Sequence, residues 1–319
     1  MRTDRMTTRF LRRKSDAGAA LLLALWALFL LSAMVIAWAL SINSQLTVSS
    51  DASRALTAEA MACSGADVAL HPMIKPGSAN LQTKMRDGGA YEVTMTGECG
   101  RLNLNLLAPG GVQNAQLVRV VRQYLNLKGI EVNDLDVMMD SLLDWISPSK
   151  GIHRMNAPEE SDDYHPAHAP LNSVDDVKKV FGWAEFTSKP GWEEDFTTVV
   201  GSCQQIDIAY ASRDVLRALG IPDDFVDLFL QLRRGQDGID GTADDPQLDQ
   251  ATALRTLGIN LQGQQLGGLQ NLIVFKSPNP VFRIMSVGKS GDVTRSVEMV
   301  VQKPQAGIGR PQVFSWKEL

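Results

Sequence analysis

The residues best suited to chemistry are the carboxylates of a glycine-containing loop, RGQDGIDGTADDPQLD, at positions 234–249. Calcium takes about six to eight oxygen ligands on a flexible frame, and closely spaced carboxylates on glycine-permitted turns supply them. The spacing differs from that of an EF-hand, because no Glu stands at the twelfth position. Carboxylates packed without a cation would also repel one another. We therefore predict a calcium site with ligands from Asp237, Asp240, Asp244 and Asp245, and the alternative is a solvated acidic loop.

A second acidic cluster contains Glu159, Glu160, Asp162 and Asp163. Glu160 and Asp163 are the candidate ligands of a second calcium ion in this cluster. A preceding proline and the polar residues around it are typical of an exposed loop. A solvated surface is therefore the alternative here.

Three histidines, His153, His165 and His168, lie close to these carboxylates in the sequence. A metal-dependent hydrolase needs such ligands on a rigid frame, but the HPAH stretch around Pro166 is typical of a loop and no HExxH motif exists. The sequence also contains no GxSxG nucleophile turn and no GxxxxGK[ST] phosphate loop. We predict a protein without a catalytic site. A signal-anchored periplasmic hydrolase that uses these histidines is the alternative from a different class.

The three cysteines are Cys63, Cys99 and Cys203, and no CxxC pair occurs among them. This odd number does not match a paired zinc-ligand pattern. In an oxidising compartment Cys99 and Cys203 form the candidate disulfide, which leaves Cys63 as a free thiol. Three buried cysteines acting as small apolar residues are the alternative, and both interpretations stay open at this point.

A membrane-spanning helix is the clearest feature of the N-terminal region. Residues 19–40, AALLLALWALFLLSAMVIAWAL, carry no charge, and as 22 helical residues they cover roughly 33 Å, close to a hydrocarbon core of about 30 Å. Basic residues directly flank only its N-terminal side, so the positive-inside rule places residues 1–18 in the cytoplasm and the body outside it. A cleaved signal peptide has a shorter apolar region. Helical spacing, as between Leu56 and Ala60, predicts that the helix continues over 41–75.

Charge is divided unevenly along the chain. Residues 1–18 hold six bases and two acids, so they contribute +4 to the total net charge of −5 and leave −9 on residues 19–319. Nucleic-acid binding depends on clusters of Lys and Arg that displace counterions from phosphates. The acidic body therefore argues against a nucleic-acid partner, including a helix-hairpin-helix binding mode.

The rest of the chain alternates between strand and helix signals. GAYEVTMTG at 89–97 alternates apolar and polar residues, which predicts a half-buried strand. Near the end, PVFRIMSVGKS and GDVTRSVEMVVQK predict a hairpin that turns at Ser290-Gly291-Asp292, and PQVFSWKEL predicts a last strand. Positions 112–269 lie between these strands and are mainly helical in pattern. We predict an α+β fold in which distant strands pair across a helical insertion, because the ends of an insertion can lie close together.

The leader and anchor resemble the substrate of a prepilin peptidase. A basic leader ending in Gly18 directly precedes the apolar helix. The resemblance implies cleavage between Gly18 and Ala19 on the cytoplasmic side, with the anchor retained. Most pilin-like proteins carry Glu at the fifth position after the cut, whereas Leu23 stands there in this chain. That departure resembles the K-type minor pseudopilin of the type II secretion system, the general secretion pathway protein K family, which lacks the glutamate.

Five further segments resemble the K-type pseudopilin in the same order. They are LNLNLLAP, DSLLDWISPSK, EESDDYHPAHAPLNSVDDVKKVFG, FRIMSVGKSGDVTRSVEMVV and PQVFSWKEL. The resemblance covers essentially the full length, and it implies a pilin-like α/β domain with an antiparallel sheet interrupted by a large α-helical insertion domain. The implied parts are a prepilin leader at 1–18, a transmembrane helix at 19–40, its periplasmic continuation at 41–75, the pilin-like domain at 76–111 and 270–319, and the inserted α-helical domain at 112–269.

The resemblance also implies a structural role. The chain is expected to form the tip of the type II secretion pseudopilus and to help start its assembly for export of folded proteins across the outer membrane. It would be a single-pass inner-membrane protein with a periplasmic body. The implied partners are I- and J-type minor pseudopilins and the prepilin peptidase, with calcium as cofactor and with no nucleic acid or small-molecule substrate. A minor pilin of a type IV pilus is the alternative within the same class.

Overall fold

The computed structural model describes residues 14–319 apart from positions 87, 149–152, 243, 260–268 and 305–308. Positions 1–13 of the predicted leader therefore lie outside the described residues. By its internal contacts the chain divides into two compact units, Met1–Leu56 and Thr57–Leu319. The sheet, the helical insertion, the disulfide and the cavity described below all belong to the second unit.

The N-terminal region forms one α-helix, α1, from Lys14 to Leu70. Proline disfavours a helix interior because it lacks the amide hydrogen that a helical hydrogen bond requires. Accordingly, α1 contains no proline, and the first proline of the chain, Pro72, lies just after its end. An 18-residue stretch reaches a mean hydropathy of 2.6, and none of that stretch is buried. By length and composition α1 is therefore a candidate membrane anchor.

A five-stranded antiparallel sheet forms the frame of the second unit, in the order β1-β2-β7-β8-β9. Its strands are β1 Gln82–Lys84, β2 Gly89–Gly97, β7 Val281–Ser290, β8 Val293–Gln302 and β9 Gln312–Glu318. Strand β2 pairs with β7 from Gly89 opposite Ser290 to Gly97 opposite Phe282. The prediction that strands before and after the insertion are neighbours is thus confirmed, and the predicted hairpin joins β7 to β8.

The C-terminal part of α1 packs on this sheet through small residues. The buried positions of the helix are Ala58, Ala62, Gly65, Ala66 and Ala69. Opposite them, the buried side chains of β7 become smaller along the strand, from Phe282 and Ile284 to Ser286 and Gly288. A Cβ atom added at Gly288 would lie 1.9 Å from the carbonyl oxygen of Ala58. The helix and strand backbones therefore come into direct contact at this position.

The insertion is mainly helical, and its core also includes Leu102, Leu104 and Leu272, which lie outside the predicted bounds 112–269. Its helices are α2 Ala115–Leu127, α3 Val132–Ile146, α4 Ala184–Thr187, α5 Arg213–Ala218, α6 Asp223–Arg233 and α7 Gln250–Thr256. Two short parallel strand pairs join β3 Leu102–Asn103 to β4 Phe196–Thr197 and β5 Ile206–Asp207 to β6 Ile273–Val274. Phe196 packs edge-to-face against Tyr124 and Trp183 at ring-centroid distances of 5.2 and 6.1 Å. All three rings are buried in this core.

Three helices of the insertion end in the same way. Gly129, Gly220 and Gly258 follow α2, α5 and α7 with positive φ, and an isoleucine comes next each time. The amide of Ile221, for example, donates to the carbonyl oxygen of Leu216 at 3.3 Å. This is the Schellman arrangement, which satisfies carbonyl groups at a helix end. The resulting hairpins α2–α3 and α5–α6 pack together through α2 and α5.

Asparagine side chains hold the start of the insertion in place. Asn105 Nδ2 donates to the carbonyl oxygens of Thr198 at 2.7 Å and Leu171 at 2.9 Å, and the amide of Leu171 donates to Asn105 Oδ1 at 2.8 Å. Asn103 Nδ2 donates to the carbonyl oxygen of Val199 at 2.8 Å. The asparagines of the LNLN segment thus fasten two loops of the insertion next to the sheet.

Candidate functional site

The acidic loop at positions 234–249 brings three of its carboxylates together. One oxygen atom from each of Asp237, Asp244 and Asp245 lies within 4.8 Å of the other two. Asp237 and Asp244 are exposed, and Asp245 is half-buried. Oxygen donors are the ligands that Ca²⁺ takes, so this grouping matches the donor chemistry of the predicted calcium site.

Asp244 is held by its own loop. Its carboxylate accepts hydrogen bonds from Thr242 Oγ1 at 2.6 Å and from the amides of Gln236 at 2.7 Å and Asp237 at 3.1 Å. The Thr242 hydrogen bond, followed by those of the amides, lowers the pKa of Asp244 to about 2. Burial instead raises the pKa of the neighbouring Asp245. The group therefore combines a carboxylate that stays ionised with one whose charge is disfavoured in the absence of a counterion.

Asp240, also predicted as a ligand, is not a member of this group of three and is paired with arginines. Arg233 donates to its carboxylate from Nε at 2.7 Å and Nη2 at 2.8 Å, and Arg234 Nε donates at 3.1 Å. Burial would raise the pKa of Asp240, but the two arginines outweigh this effect and lower it. Arg233 Nη1 also donates to the carbonyl oxygens of Ala209 and Ala211. Asp240 thus fastens the acidic loop to α6 and to the preceding chain.

Among the described residues, the second acidic cluster forms no group of three metal-ligating side chains. Glu160 Oε1 lies 2.8 Å from His168 Nε2, and Asp163 is exposed. Elsewhere, Asp144 Oδ2 lies 3.7 Å from His153 Nδ1. In the part of the chain that the structure describes, the ligand group of three contains neither Glu160 nor any histidine. Two of the histidines therefore lie beside different carboxylates, which does not match the shared metal site that the hydrolase alternative requires.

The predicted processing position lies within α1. Gly18 and Ala19 are exposed, and no atom lies within 4 Å of a Cβ atom added at Gly18. Leu23 is 71% exposed. The side chain at the fifth position after the predicted cut is therefore apolar and open to its surroundings.

Cys99 and Cys203 form a disulfide that joins the end of the β2 segment to a loop of the insertion. Val199 and Val281 pack beside it in a small buried cluster. Cys63 is a free, half-buried thiol. Of the two interpretations that the sequence left open for Cys99 and Cys203, the structure contains the disulfide.

Removing this disulfide is expected to destabilise the second unit. The cross-link joins residues that are 104 positions apart in the sequence. A native disulfide limits the conformational freedom of the unfolded chain. We expect a Cys99→Ala, Cys203→Ala double variant to lose about 2–4 kcal/mol of unfolding free energy, measured by urea unfolding in detergent. Cys63→Ala is the control and is expected to change little. A double variant as stable as the wild type would contradict this prediction.

Sequence reasoning missed an ionic network next to Cys99. Glu98 is 1% exposed and accepts hydrogen bonds from Arg283 at 2.8 and 2.9 Å and from Arg101 at 3.0 Å. Burial works to raise the pKa of Glu98, but hydrogen bonding to Arg283 and the two positive charges outweigh it and lower the pKa. Arg101 Nε also donates to the carbonyl oxygen of Glu194 in the insertion at 2.7 Å. No local signal marks the Glu98–Arg283 pair, since 185 positions separate the two residues.

No protein-family model matches this chain, and no curated protein matches it in sequence. Its fold is similar to that of a chain in the crystal structure of the GspK–GspI–GspJ complex from the type 2 secretion system of enterotoxigenic Escherichia coli. The two align with a TM-score of 0.55 over 87% of this chain and 99% of that chain, at 15% sequence identity. This chain therefore has the fold of a component of that secretion complex.

Proposed function

We propose that this chain is a structural, non-enzymatic minor pseudopilin of a type II secretion system. The observation that carries the proposal is the fold, an antiparallel sheet interrupted by a helical insertion, which aligns with 99% of a chain of the GspK–GspI–GspJ complex. The apolar helix α1 supports an inner-membrane anchor. The basic residues before it support a cytoplasmic N-terminus and a periplasmic body.

A position at the tip of the pseudopilus is supported by two features. Leu23 stands where a carboxylate would otherwise lie, so the anchor carries no buried charge there for a neighbouring subunit's N-terminal amine to neutralise. The helical insertion also adds bulk to the pilin-like frame, which would obstruct a further subunit above it. A subunit with these features needs partners beneath it and none above. Such a subunit is suited to start assembly.

The proposed partners are I- and J-type minor pseudopilins. The complex that includes the structurally similar chain contains GspI and GspJ together with GspK. Beyond the predicted span, α1 exposes the apolar side chains of Ile42, Leu46, Val48 and Leu56. Exposed apolar side chains on a helix favour packing against another helix. We place the partner contacts on this section of α1.

A Gly18→Ile variant tests the proposed processing. A bulky side chain at the predicted cleavage position is expected to block the peptidase, so the variant should keep its leader and migrate more slowly on a gel in the native host. Sequencing of the wild-type protein extracted from membranes should begin at Ala19. Ala20→Ile is the matched control within the apolar helix and should be processed normally. Unchanged mobility of Gly18→Ile together with normal secretion would contradict the proposal.

We further propose that the acidic loop binds calcium through Asp237, Asp244 and Asp245. The grouping of their oxygens and the raised pKa of Asp245 support this, since a cation would compensate the repulsion between these carboxylates. Asp240 is left out because Arg233 and Arg234 occupy its carboxylate.

Calcium removal is the corresponding prediction. An ion that binds only the folded state at 100 to 1,000 times its dissociation constant stabilises by about 3–4 kcal/mol. We expect EGTA to lower the melting temperature of the wild type and to have no effect on Asp244→Asn. Asp163→Asn, in the second acidic cluster, is the control and should still respond to EGTA. Equal melting temperatures of the wild type with calcium and with EGTA would exclude the site.

A further inference from the structure

A cavity of about 870 Å³ opens between the sheet and the helical insertion within the second unit. Met95, Phe282 and Lys303 line it from the sheet, and Phe229 and Arg233 line it from α6. A volume of this size lies in the range of ligand-binding sites, which is about 300–1,000 Å³. The structural role proposed above does not require such a cavity.

Much of the cavity wall is apolar and made of rigid side chains. Its aromatic residues are Tyr210, Phe229, Phe275 and Phe282, and six prolines line it as well. Aromatic rings and prolines form surfaces with few hydrogen-bond donors, and grooves lined by aromatic rings recognise extended peptide segments. The wall therefore suits an extended chain that carries apolar side chains.

The charged groups of the cavity are unequally paired. Its cations are Lys75, Arg101, Arg233, Arg234, Lys276 and Lys303, and its carboxylates are Glu194, Asp195, Asp240 and Asp245. The arginines form ion pairs, Arg101 with Glu98 and the other two with Asp240. The three lysines form no ion pair with any residue that the structure describes. The cavity thus has an excess of positive charge on a body whose net charge is strongly negative.

Lys303 is the unusual member of this set. It is 6% exposed, and its ammonium group donates to the carbonyl oxygen of Ile74 at 2.7 Å and lies 5.8 Å from the centre of the Phe282 ring. Burial lowers its pKa to about 8. Burying a cation without a counterion costs free energy, and a carboxylate from a ligand would offset that cost.

We propose that this cavity binds an extended acidic peptide segment of another protein, with one carboxylate beside Lys303 and apolar side chains against Phe229 and Phe282. The four carboxylates of the wall favour such a peptide over a compact polyanion. They would repel a compact, multiply charged group such as a polyphosphate, whereas a peptide presents single carboxylates that are separated by apolar side chains. Asp245 of the proposed calcium site also lies in the cavity wall, but the proposal requires neither bound calcium nor the pseudopilin role.

The test is a binding assay with the full-length protein in detergent micelles. The probe is an array of random peptides of equal length, sorted into acidic–apolar, basic–apolar, acidic–polar and neutral–apolar classes. We expect binding to concentrate in the acidic–apolar class and to fall at least about tenfold in Lys303→Met, because a charge-assisted hydrogen bond is lost. Lys189→Met, an exposed lysine outside the cavity, is the control and should bind as the wild type does.

Two further measurements separate a loss of binding from a loss of fold. Lys75 and Lys276 are exposed, so a Lys75→Met, Lys276→Met double variant is expected to fold normally and to bind more weakly. Lys303→Met is expected to melt at or above the wild-type temperature, since it removes an uncompensated buried charge. Binding spread evenly over the four classes, binding unchanged in Lys303→Met, or the absence of binding in every class would overturn the proposal. Displacement of bound peptides by inorganic phosphate alone would also overturn it, because it would identify a site for small anions.

Discussion

A Gly288→Val variant is expected to lose the packing of α1 on the sheet. The added Cβ atom would lie 1.9 Å from the carbonyl oxygen of Ala58 and 2.4 Å from the amide nitrogen of Ala62. Both are backbone atoms of a helix, which cannot rotate away as the end of a side chain can. Valine favours strands more than glycine does, so strand propensity would not explain a loss of stability. The loss would therefore result from the clash with the helix backbone. We expect a cost of roughly 5 kcal/mol, at the exceptional end of single substitutions.

Urea unfolding of the full-length protein in detergent, followed by near-ultraviolet circular dichroism, measures this effect. Lys289→Val is the matched control, because the next residue of β7 is exposed and points to the other face of the sheet. The control should stay within about 1 kcal/mol of the wild type. Equal stability of the Gly288 and Lys289 variants would show that α1 does not approach β7 as closely as described.

A Glu98→Gln variant is expected to lose roughly 3–5 kcal/mol, because removing one partner of a buried ion pair leaves the other charge uncompensated. Glutamine keeps the shape of the side chain but not its charge, and both Arg101 and Arg283 would lose their nearest carboxylate. Glu298→Gln is the control, since Glu298 lies 3.6 Å from Arg283 and its side chain is 23% exposed. Partly exposed pairs contribute little, so the control should lose less than about 1 kcal/mol. Similar losses in both variants would contradict the special role of Glu98.

The same pair of variants predicts a pH dependence. The folded-state pKa of Glu98 lies below its ordinary value of 4.5, so its stabilisation is complete above that pH and is lost as the pH falls through the folded-state value. The stability difference between the wild type and Glu98→Gln should therefore be constant near neutral pH and shrink in acid. Urea unfolding at a series of pH values measures it. A difference that grew towards acid pH would have the wrong sign for a carboxylate held ionised by arginines.

Local patterns predicted the elements but not the faces through which they pack. In β2, the alternation of Tyr91, Val93 and Met95 matches their burial, because a strand places every second side chain on one face. In α1, helical spacing predicted a helix correctly, yet only Ala66 is buried among the five residues that carried this prediction, Leu46, Ala55, Leu56, Ala60 and Ala66. The face that meets the sheet consists of alanines and a glycine, which carry almost no hydrophobic signal. Their small size matters only because Gly288 lies opposite.

The acidic loop shows the same limit at the level of a site. Its composition predicted a cluster of carboxylates, and the structure groups Asp237, Asp244 and Asp245. The sequence offered Asp240 as an equal candidate, but Arg233 of the preceding helix binds it instead. Spacing alone does not distinguish a carboxylate that binds a metal ion from one that pairs with an arginine, since Asp suits both partners.

The sequence by itself determined the apolar N-terminal helix, the strands on either side of the insertion and the acidic loop. Each of these depends on the local order of apolar, charged and turn-forming residues, and local order is what a sequence displays directly. Only the tertiary structure decided that Glu98 meets Arg283, that Cys99 bonds to Cys203, and that Lys303 is buried beside a cavity without a carboxylate partner. These contacts join residues far apart in the chain, and the folding of the insertion back onto the sheet brings them together.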